Sequence, residues 1–325
     1  MRILITGGAG FIGANLVRAC ESKDHDVIVL DDLSTGHVSN LDGTNAQFIH
    51  GSITDPDVVD TAVQAADSIV HLAARGSVPR SIENPVATHV VNATGTLNVL
   101  DSARRADGRQ VIMASSSSVY GANPELPKRE SGATRPMSPY AASKLAAEGY
   151  ALAYGTAYGL PTLAFRFFNV FGPFQRAGHA YAAVIPAFVD AALRGEPLTV
   201  HGDGTQSRDF THVDTVCATI CDAFESRTSS PDPVNLAFGT RTSLLRTIDI
   251  LAEELDHPLV VEHVDSRVGD VPHSQADSTL LNSLFPNITP VDFRAGLVQT
   301  IRWMQSQIDS PLVDPGALHA VKGAA

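Results

Sequence analysis

Positive charge, cysteine and long apolar runs are all in short supply in this chain. Its 23 Lys and Arg are outnumbered by 35 Asp and Glu, for a net charge of −12. That balance argues against a general binder of nucleic acid or anionic membranes, since both want basic faces. An anionic small substrate would need locally placed arginines. Three cysteines, Cys20, Cys217 and Cys221, are few and odd in number, which points away from a disulfide framework and towards a reducing compartment. Cys217 and Cys221 can share a helix face, but no other soft ligand accompanies them, so core packing is expected there and no metal. No apolar run reaches the length of a membrane span. After Met1-Arg2 the segment ILITGG is too short for the apolar region of a secretory signal, so a cytoplasmic location is expected. Internal repeats and low-complexity tracts are also lacking.

What is present describes an ordinary globular protein: 325 residues, 44% apolar and 18% charged, enough for a large core and for two lobes. Arg2 to Thr6 is a short β-rich run that stops at Gly7-Gly8-Ala9-Gly10-Phe11-Ile12-Gly13, and an amphipathic stretch from Ala14 to Glu21 follows. Strand, glycine turn and helix form the context that a dinucleotide-binding turn requires. The glycines permit the tight turn and a close backbone approach to a pyrophosphate, which the helix N-terminus faces. Val27 to Leu30 forms a second strand ending at Asp31, where a carboxylate suits a ribose and repels a 2′-phosphate. NAD is therefore favoured over NADP.

Strands are expected at Gln47–His50, Ser68–His71, Val111–Ala114 and Thr162–Phe168, with helices at about Pro56–Gln64, Pro85–Arg105 and from Pro139. This alternation indicates a doubly wound, Rossmann-type α/β fold with a parallel sheet covered on both faces. His71 reads as a strand-end residue, because no second metal ligand sits at suitable spacing. From Asn169 the texture changes: a loop, a helix at Tyr181–Leu193, a strand at Leu198–His201, a helix near Val213–Phe224 and a strand at Val234–Phe238. A helix at Ser243–Leu255, a strand at Leu259–Glu262 and a loop at 265–273 complete a smaller α/β lobe. The expected division is 1–168 plus about 211–239 for the cofactor domain and about 169–210 plus 240–309 for the substrate domain, with 310–325 a flexible tail.

The stretch Ala114 to Lys144 carries the chemistry. Four serines (115–118) follow an apolar strand, and Tyr140 precedes Lys144 by four residues on a helix whose candidate N-cap is Ser138. Tyr140 and Lys144 then share a face one turn apart. An ammonium beside a phenol favours the phenolate, so the tyrosine pKa is expected to fall towards neutrality. The serines can hydrogen-bond the same substrate oxygen.

With these segments in view, the chain resembles the extended short-chain dehydrogenase/reductases of the nucleotide-sugar 4-epimerase branch, from Met1 to about Gln307. The resemblance rests on TGGAGFIG (6–13), LDDLSTG (30–36), HLAA (71–74), SVPRSIENP (77–85), SSSSVYG (115–121) and Tyr140-x-x-x-Lys144. RFFNVFGP (166–173), AYAAVIP (180–186), GDGTQSRDFTHV (202–213) and RVGD (267–270) extend it. It implies catalysis by Ser116, Tyr140 and Lys144. Along the NAD it implies Gly7, Gly10, Phe11, Ile12, Gly13, Asp31, Asp32, Ser34, Gly36, Ser52 and Ile53. Leu72, Ala73, Ala74, Asn92, Ser115 and Phe168 continue that list, with Tyr140 and Lys144 on the nicotinamide ribose. Around a UDP-sugar it implies Ser117, Ser118, Asn169, Ala183, Val184, Arg208, Arg267, Asp270 and Ser274. The family usually has Gly-Asp-Ile where this chain has Gly51-Ser52-Ile53, a departure at the adenine contact for which Asp55 is no simple substitute.

The implied activity is 4-epimerisation of a UDP-hexose through a 4-keto intermediate. Related 4,6-dehydratases carry Thr-Asp-Glu where this chain has Ser116-Ser117-Ser118, and decarboxylases keep a glutamate at the position of Ser118. Glucuronate 4-epimerases share SSSSVYG but tend to have Thr at the position of Asn169. A small Ser274 leaves room for an N-acetyl group, so UDP-GlcNAc and UDP-GalNAc are expected substrates beside UDP-Glc and UDP-Gal. A silent NAD-binding scaffold is the reading from another class. A homodimer through the helices near 85–105 and 139–158 is also implied.

Overall fold

Successive side chains leave opposite faces of a strand, and this alternation builds two cores. Strand β1 (Arg2–Thr6) sends Ile3 and Ile5 into one buried cluster and Leu4 into another; β2 (Asp26–Asp31) divides Val27 and Val29 from Ile28 and Leu30 in the same way. Apolar runs buried on both sides are what a covered parallel sheet requires. The computed structural model describes residues 1–177, 183–265 and 272–309. The remaining large strands are β3 (Gln47–His50), β4 (Ser68–His71), β5 (Gln110–Ser116) and β6 (Thr162–Phe167). Shorter ones follow: β7 (Val170–Phe171), β8 (Leu198–His201), β9 (Ser207–Arg208), β10 (Thr211–His212) and β11 (Val234–Leu236).

Seven strands form one sheet in the order β11-β6-β5-β4-β1-β2-β3, all parallel. The chain runs outward from β1 to β3, then returns to β4 on the other side of β1. That reversal opens a crevice at the carboxyl ends of β1 and β4, where such sheets bind ligands. Helices α1 (Phe11–Glu21), α2 (Pro56–Gln64), α3 (Val78–Glu83), α4 (Pro85–His89), α5 (Gly95–Arg105), α6 (Pro139–Tyr158), α7 (Val184–Arg194) and α8 (Val213–Glu225) follow in order. One core packs α1 and α8 against the sheet, and the opposite core packs α2, α5 and α6. The thiols of Cys20, Cys217 and Cys221 are free and buried where α1 meets α8. Among the described residues no cluster suited to a metal ion occurs, and no helix is long and apolar enough to cross a membrane.

A third cluster gathers Phe171, Ile185, Phe188, Leu198, Leu244 and Leu297, among others. It joins α7 and β8 to α9 (Leu244–Leu255) and α11 (Phe293–Asp309), which follows the short α10 (Thr279–Leu284).

The structure corrects several boundaries. The expected helix 85–105 is split into α4, a π-helical turn at Val90–Thr94 and α5. The wider turn holds Asn92 inside, where its amide is fully engaged. Helix α7 begins at Val184; residues 181 and 182 of the expected helix lie outside the described residues. The strand expected at Leu259–Glu262 occurs at Val261–Val264, fixed by its parallel register of Val261 with Leu198, and β11 stops at Leu236. Residues 310–325 also lie outside the described set.

Candidate active site

A cavity of about 870 Å³ opens at the crevice between β1 and β4. Its wall includes Gly7, Gly10, Phe11, Ile12, Gly13, Asp31, Asp32, Ser34, Ile53, Leu72, Ala73, Ala74, Ser115, Ser116, Tyr140, Lys144 and Ala183. Residues from four strand ends, the start of α1 and the start of α6 thus converge on one space.

The glycine turn is shaped by close backbone approach. Gly7 has φ +73°, and a Cβ there would lie 2.7 Å from Ala73 N; a Cβ on Gly13 would lie 2.3 Å from Gly7 O. Gly10 caps α1 without a side-chain acceptor, so the first N–H groups of the helix are left for an anion in the cavity. Asp31 accepts Ala9 N–H at 2.9 Å and Leu33 N–H at 2.8 Å, while burial pushes its carboxyl above the usual range. A carboxylate has about four lone-pair directions, so it can still accept ribose hydroxyls. Turn, uncapped helix and strand-end acid together fit a dinucleotide.

Ser138 caps α6 by accepting from Ala141 N–H at 3.1 Å, which sets Tyr140 and Lys144 in the first turns. Lys144 Nζ donates to Ala114 O at 2.9 Å, tying the helix to the end of β5. Burial pulls Lys144 down to about 8. Tyr140 moves against expectation: burial raises it, and the hydrogen bond from Ser116 opposes that only in part. Desolvation penalises both charged forms, and a lysine that is itself reluctant to carry charge compensates poorly. His71 is buried, pushed down to about 3 by burial and by Lys144, and bonded to Thr6 Oγ1 at 2.7 Å and Thr96 Oγ1 at 2.9 Å. It is a neutral strand-end residue.

Other expected residues stand behind the wall. Asn92 accepts Arg75 N–H at 2.7 Å and donates to Arg75 O at 3.2 Å and Ser143 Oγ at 2.9 Å, so it ties the loop after β4 to α6. Ser115 lines the cavity, but its hydroxyl donates inward to Glu148 Oε2 at 2.6 Å. Glu148, a further turn along α6 from Lys144, pairs with Arg166 of β6 at 2.7 Å, both side chains being buried. Sequence spacing offers no signal for that pair, although Tyr140, Lys144 and Glu148 recur at intervals of four.

Phe168 needs correction: it is buried among Val119, Tyr120, Ala237 and Ala276, and its neighbour Phe167 faces the cavity. Strand parity explains the exchange, because adjacent residues point to opposite sides. Gly36 packs against Ala9, and Ser52 Oγ turns to Thr54 Oγ1 at 2.9 Å, neither on the wall. Asp55 caps α2 by accepting Asp57 N–H at 3.1 Å. Ser117, Ser118, Asn169, Val184, Arg208 and Ser274 also stand off this wall. Asn169 Nδ2 lies 3.5 Å from Ser274 Oγ, Arg208 donates to Ser207 O and Pro272 O, and Ser274 N–H donates to Ser207 O, so these three residues sit close together. Arg267 and Asp270 lie outside the described residues. The wall gains Arg80 and the loop residues Phe174, Gln175 and Arg176, which no spacing rule singles out. Their only signal is position: Arg80 lies on the short helix α3 that follows β4, and the others lie in the loop after β7.

The model of the NAD dependent epimerase/dehydratase family matches residues 3–237. The UDP-glucose 4-epimerase of Mycolicibacterium smegmatis is 34% identical over 317 residues, covering 94% of this chain and 99% of that protein. The structure of UDP-N-acetylglucosamine 4-epimerase from Methanobrevibacter ruminantium, in complex with UDP-N-acetylmuramic acid, superposes with a TM-score of 0.89 at 36% identity. It covers 94% of this chain and 98% of that one. The UDP-glucose 4-epimerase of Thermus thermophilus, in complex with NAD, gives a TM-score of 0.84 at 32% identity, over 94% of this chain and 99% of that one.

Proposed function

The chain belongs to the NAD-dependent epimerase/dehydratase family, and we propose that it interconverts the C4 epimers of a UDP-hexose. One observation carries this reading. Ser116, Tyr140 and Lys144 meet on the wall of the dinucleotide cavity, while the two residues after Ser116 are serines. Elimination across C5–C6 needs an acid and a base near the sugar, and Ser117 and Ser118 cannot readily serve as either.

Bound NAD supplies the acceptor, and later the donor, of the hydride at C4. Tyr140 takes the proton of the 4-hydroxyl and returns it to the same oxygen. Ser116 holds that oxygen, and Lys144 stabilises the phenolate and the ribose. Asp31 and the start of α1 hold the dinucleotide.

The side chain at 274 is a small serine, so the N-acetyl sugars are included in the reading. A panel of UDP- and dTDP-sugars, followed by NMR for the C4 epimer, tests all of it. UDP-Glc/UDP-Gal and UDP-GlcNAc/UDP-GalNAc should each equilibrate. Turnover of the plain hexoses alone would refute the role of Ser274, and no turnover on the whole panel despite bound NAD would favour a scaffold. UDP-glucuronate belongs in the panel because Arg80 on the wall offers a guanidinium that a sugar carboxylate can take.

The reading extends to a homodimer. Ile82 of α3, Val86 of α4 and Val90 are 64%, 71% and 41% exposed, on elements that pack against α6, where Tyr150 is 41% exposed. Exposed apolar side chains gathered on neighbouring elements are expected to be covered. Val86→Asp should convert a dimer to a monomer in light scattering; a variant that remains dimeric would move the interface elsewhere.

A further inference from the structure

Arg176 is a cation on the wall of the dinucleotide cavity that the reaction at C4 does not use. Its loop, which follows β7, is fastened across the start of α1. Asn15 Nδ2 of α1 donates to Pro173 O at 2.9 Å, and the guanidinium of Arg18, also on α1, lies 4.4 Å from the centre of the Phe174 ring. Arg176 itself is half-buried. Its Nη2 donates to Asn40 Oδ1 at 3.3 Å, and its Nε is buried without a partner. Among the described residues Arg176 makes no ion pair.

Asn40 gives that guanidinium its place. Asn40 Nδ2 donates to Ala9 O at 2.8 Å, so Arg176 stands one side chain away from the glycine turn. Arg176 and Asn40 line the same space as Gly10, Phe11 and Ile12. The start of α1 offers an anion its N–H groups and a partial positive charge, but from one side only. A guanidinium adds a planar fork of donors that suits a phosphate. A half-buried cation with one long hydrogen bond and no counter-charge is costly until an anion joins it.

We propose that Arg176 is a binding residue for the diphosphate of the dinucleotide, held by Asn40 across the cavity from the start of α1. The proposal goes beyond the epimerase reading and does not depend on which sugar turns over. A sugar nucleotide carries the same diphosphate group. The bridge through Asn40 to Ala9 favours the dinucleotide, because that turn is the one built for close backbone approach to its phosphates. The segment after β6, expected to serve the substrate, thereby takes a share in holding the cofactor.

The test uses the protein with its NAD bound and compares Arg176→Gln with Arg176→Lys. Holoenzyme carrying radiolabelled NAD is diluted into excess unlabelled NAD, and release of the label is timed. The glutamine variant should release NAD about tenfold to a hundredfold faster than wild type, the span of one charged hydrogen bond. Lysine keeps the charge without the fork and should bring the rate back to within about threefold of wild type. UDP binding to the holoenzyme, measured by calorimetry, should be unchanged in the glutamine variant. Release at the wild-type rate would overturn the proposal, and a loss of UDP affinity beside it would assign the arginine to the sugar nucleotide. Fast release that lysine does not correct would also overturn it, since that result describes a displaced loop and not a lost charge. If the glutamine variant does not fold, Arg176→Met replaces it with the same expectation, and release at the wild-type rate there counts against the proposal. A wild type with no affinity for NAD would overturn it outright. Release needs no turnover, so a wild type that holds NAD yet is inactive on every sugar would defeat the epimerase reading while the release rates still decide the role of Arg176.

Discussion

Tyr140→Phe should lower kcat about 10³-fold while the protein keeps its fold and its NAD. The substitution removes one oxygen and leaves the ring, so the packing at the start of α6 is preserved. The glycine turn, Asp31 and Lys144 are untouched, which is why cofactor content should hold. In the proposed mechanism the base is the phenolate, and burial raises the pKa of Tyr140. The active fraction therefore grows as pH rises, and kcat should climb along an acidic limb until that pKa is passed. In the variant this limb should vanish together with the rate. Turnover of the epimerisable UDP-hexose, with NAD measured after denaturing the protein, checks both halves. A variant that retains a tenth of wild-type kcat with its limb intact would remove Tyr140 from the proposed role.

Much of this site is legible in the chain because it depends on local rules. Gly7 to Gly13 followed by an amphipathic run fixes a strand, a turn and a helix whatever the rest does, and Tyr140 to Lys144 needs only the helical repeat. The apolar runs of β1, β2 and β5 announce burial on both faces. What is not legible depends on parity, register or distant partners. Phe167 and Phe168 exchange roles because one residue of offset changes the face of β6. Asn92 lies on the π-helical turn, and its partners Arg75 and Ser143 stand 17 and 51 residues away in the chain. The Glu148–Arg166 pair joins two elements with no shared motif. The tyrosine pKa departs from expectation for a related reason: spacing shows which charges are neighbours but not how thoroughly water is excluded from them. The acid at Asp55 illustrates the same limit, since its oxygen is already spent on capping α2.

Burial of Lys144 leads to the second large effect, in which activity and stability move in opposite directions. Its ammonium is brought down from 10.5 to about 8 because the charged form loses water that one hydrogen bond, to Ala114 O, does not replace. The folded protein thus binds its proton less tightly than the unfolded chain does. Between about pH 8 and 10.5 the unfolded state holds more protons, so stability contributed by this group rises with pH across that window. Below pH 8 the lysine is charged in both states, and the full penalty is present. The shift corresponds to about 3 kcal/mol, less roughly 1 kcal/mol for the bond to Ala114. Lys144→Met keeps the length of the side chain and removes the charge. At pH 7 it should raise the unfolding free energy by about 2 kcal/mol, compared at matched NAD content. Near pH 11, where the wild-type lysine is neutral folded or unfolded, the gain should disappear. Over the same change kcat should fall at least about 100-fold, because the methionine can neither stabilise the Tyr140 phenolate nor bind the ribose. Denaturant titrations at the two pH values, set beside turnover, measure both effects. A variant that is less stable than wild type at pH 7, yet folded and active, would mean that the lysine charge is well solvated and not held at the expense of the fold.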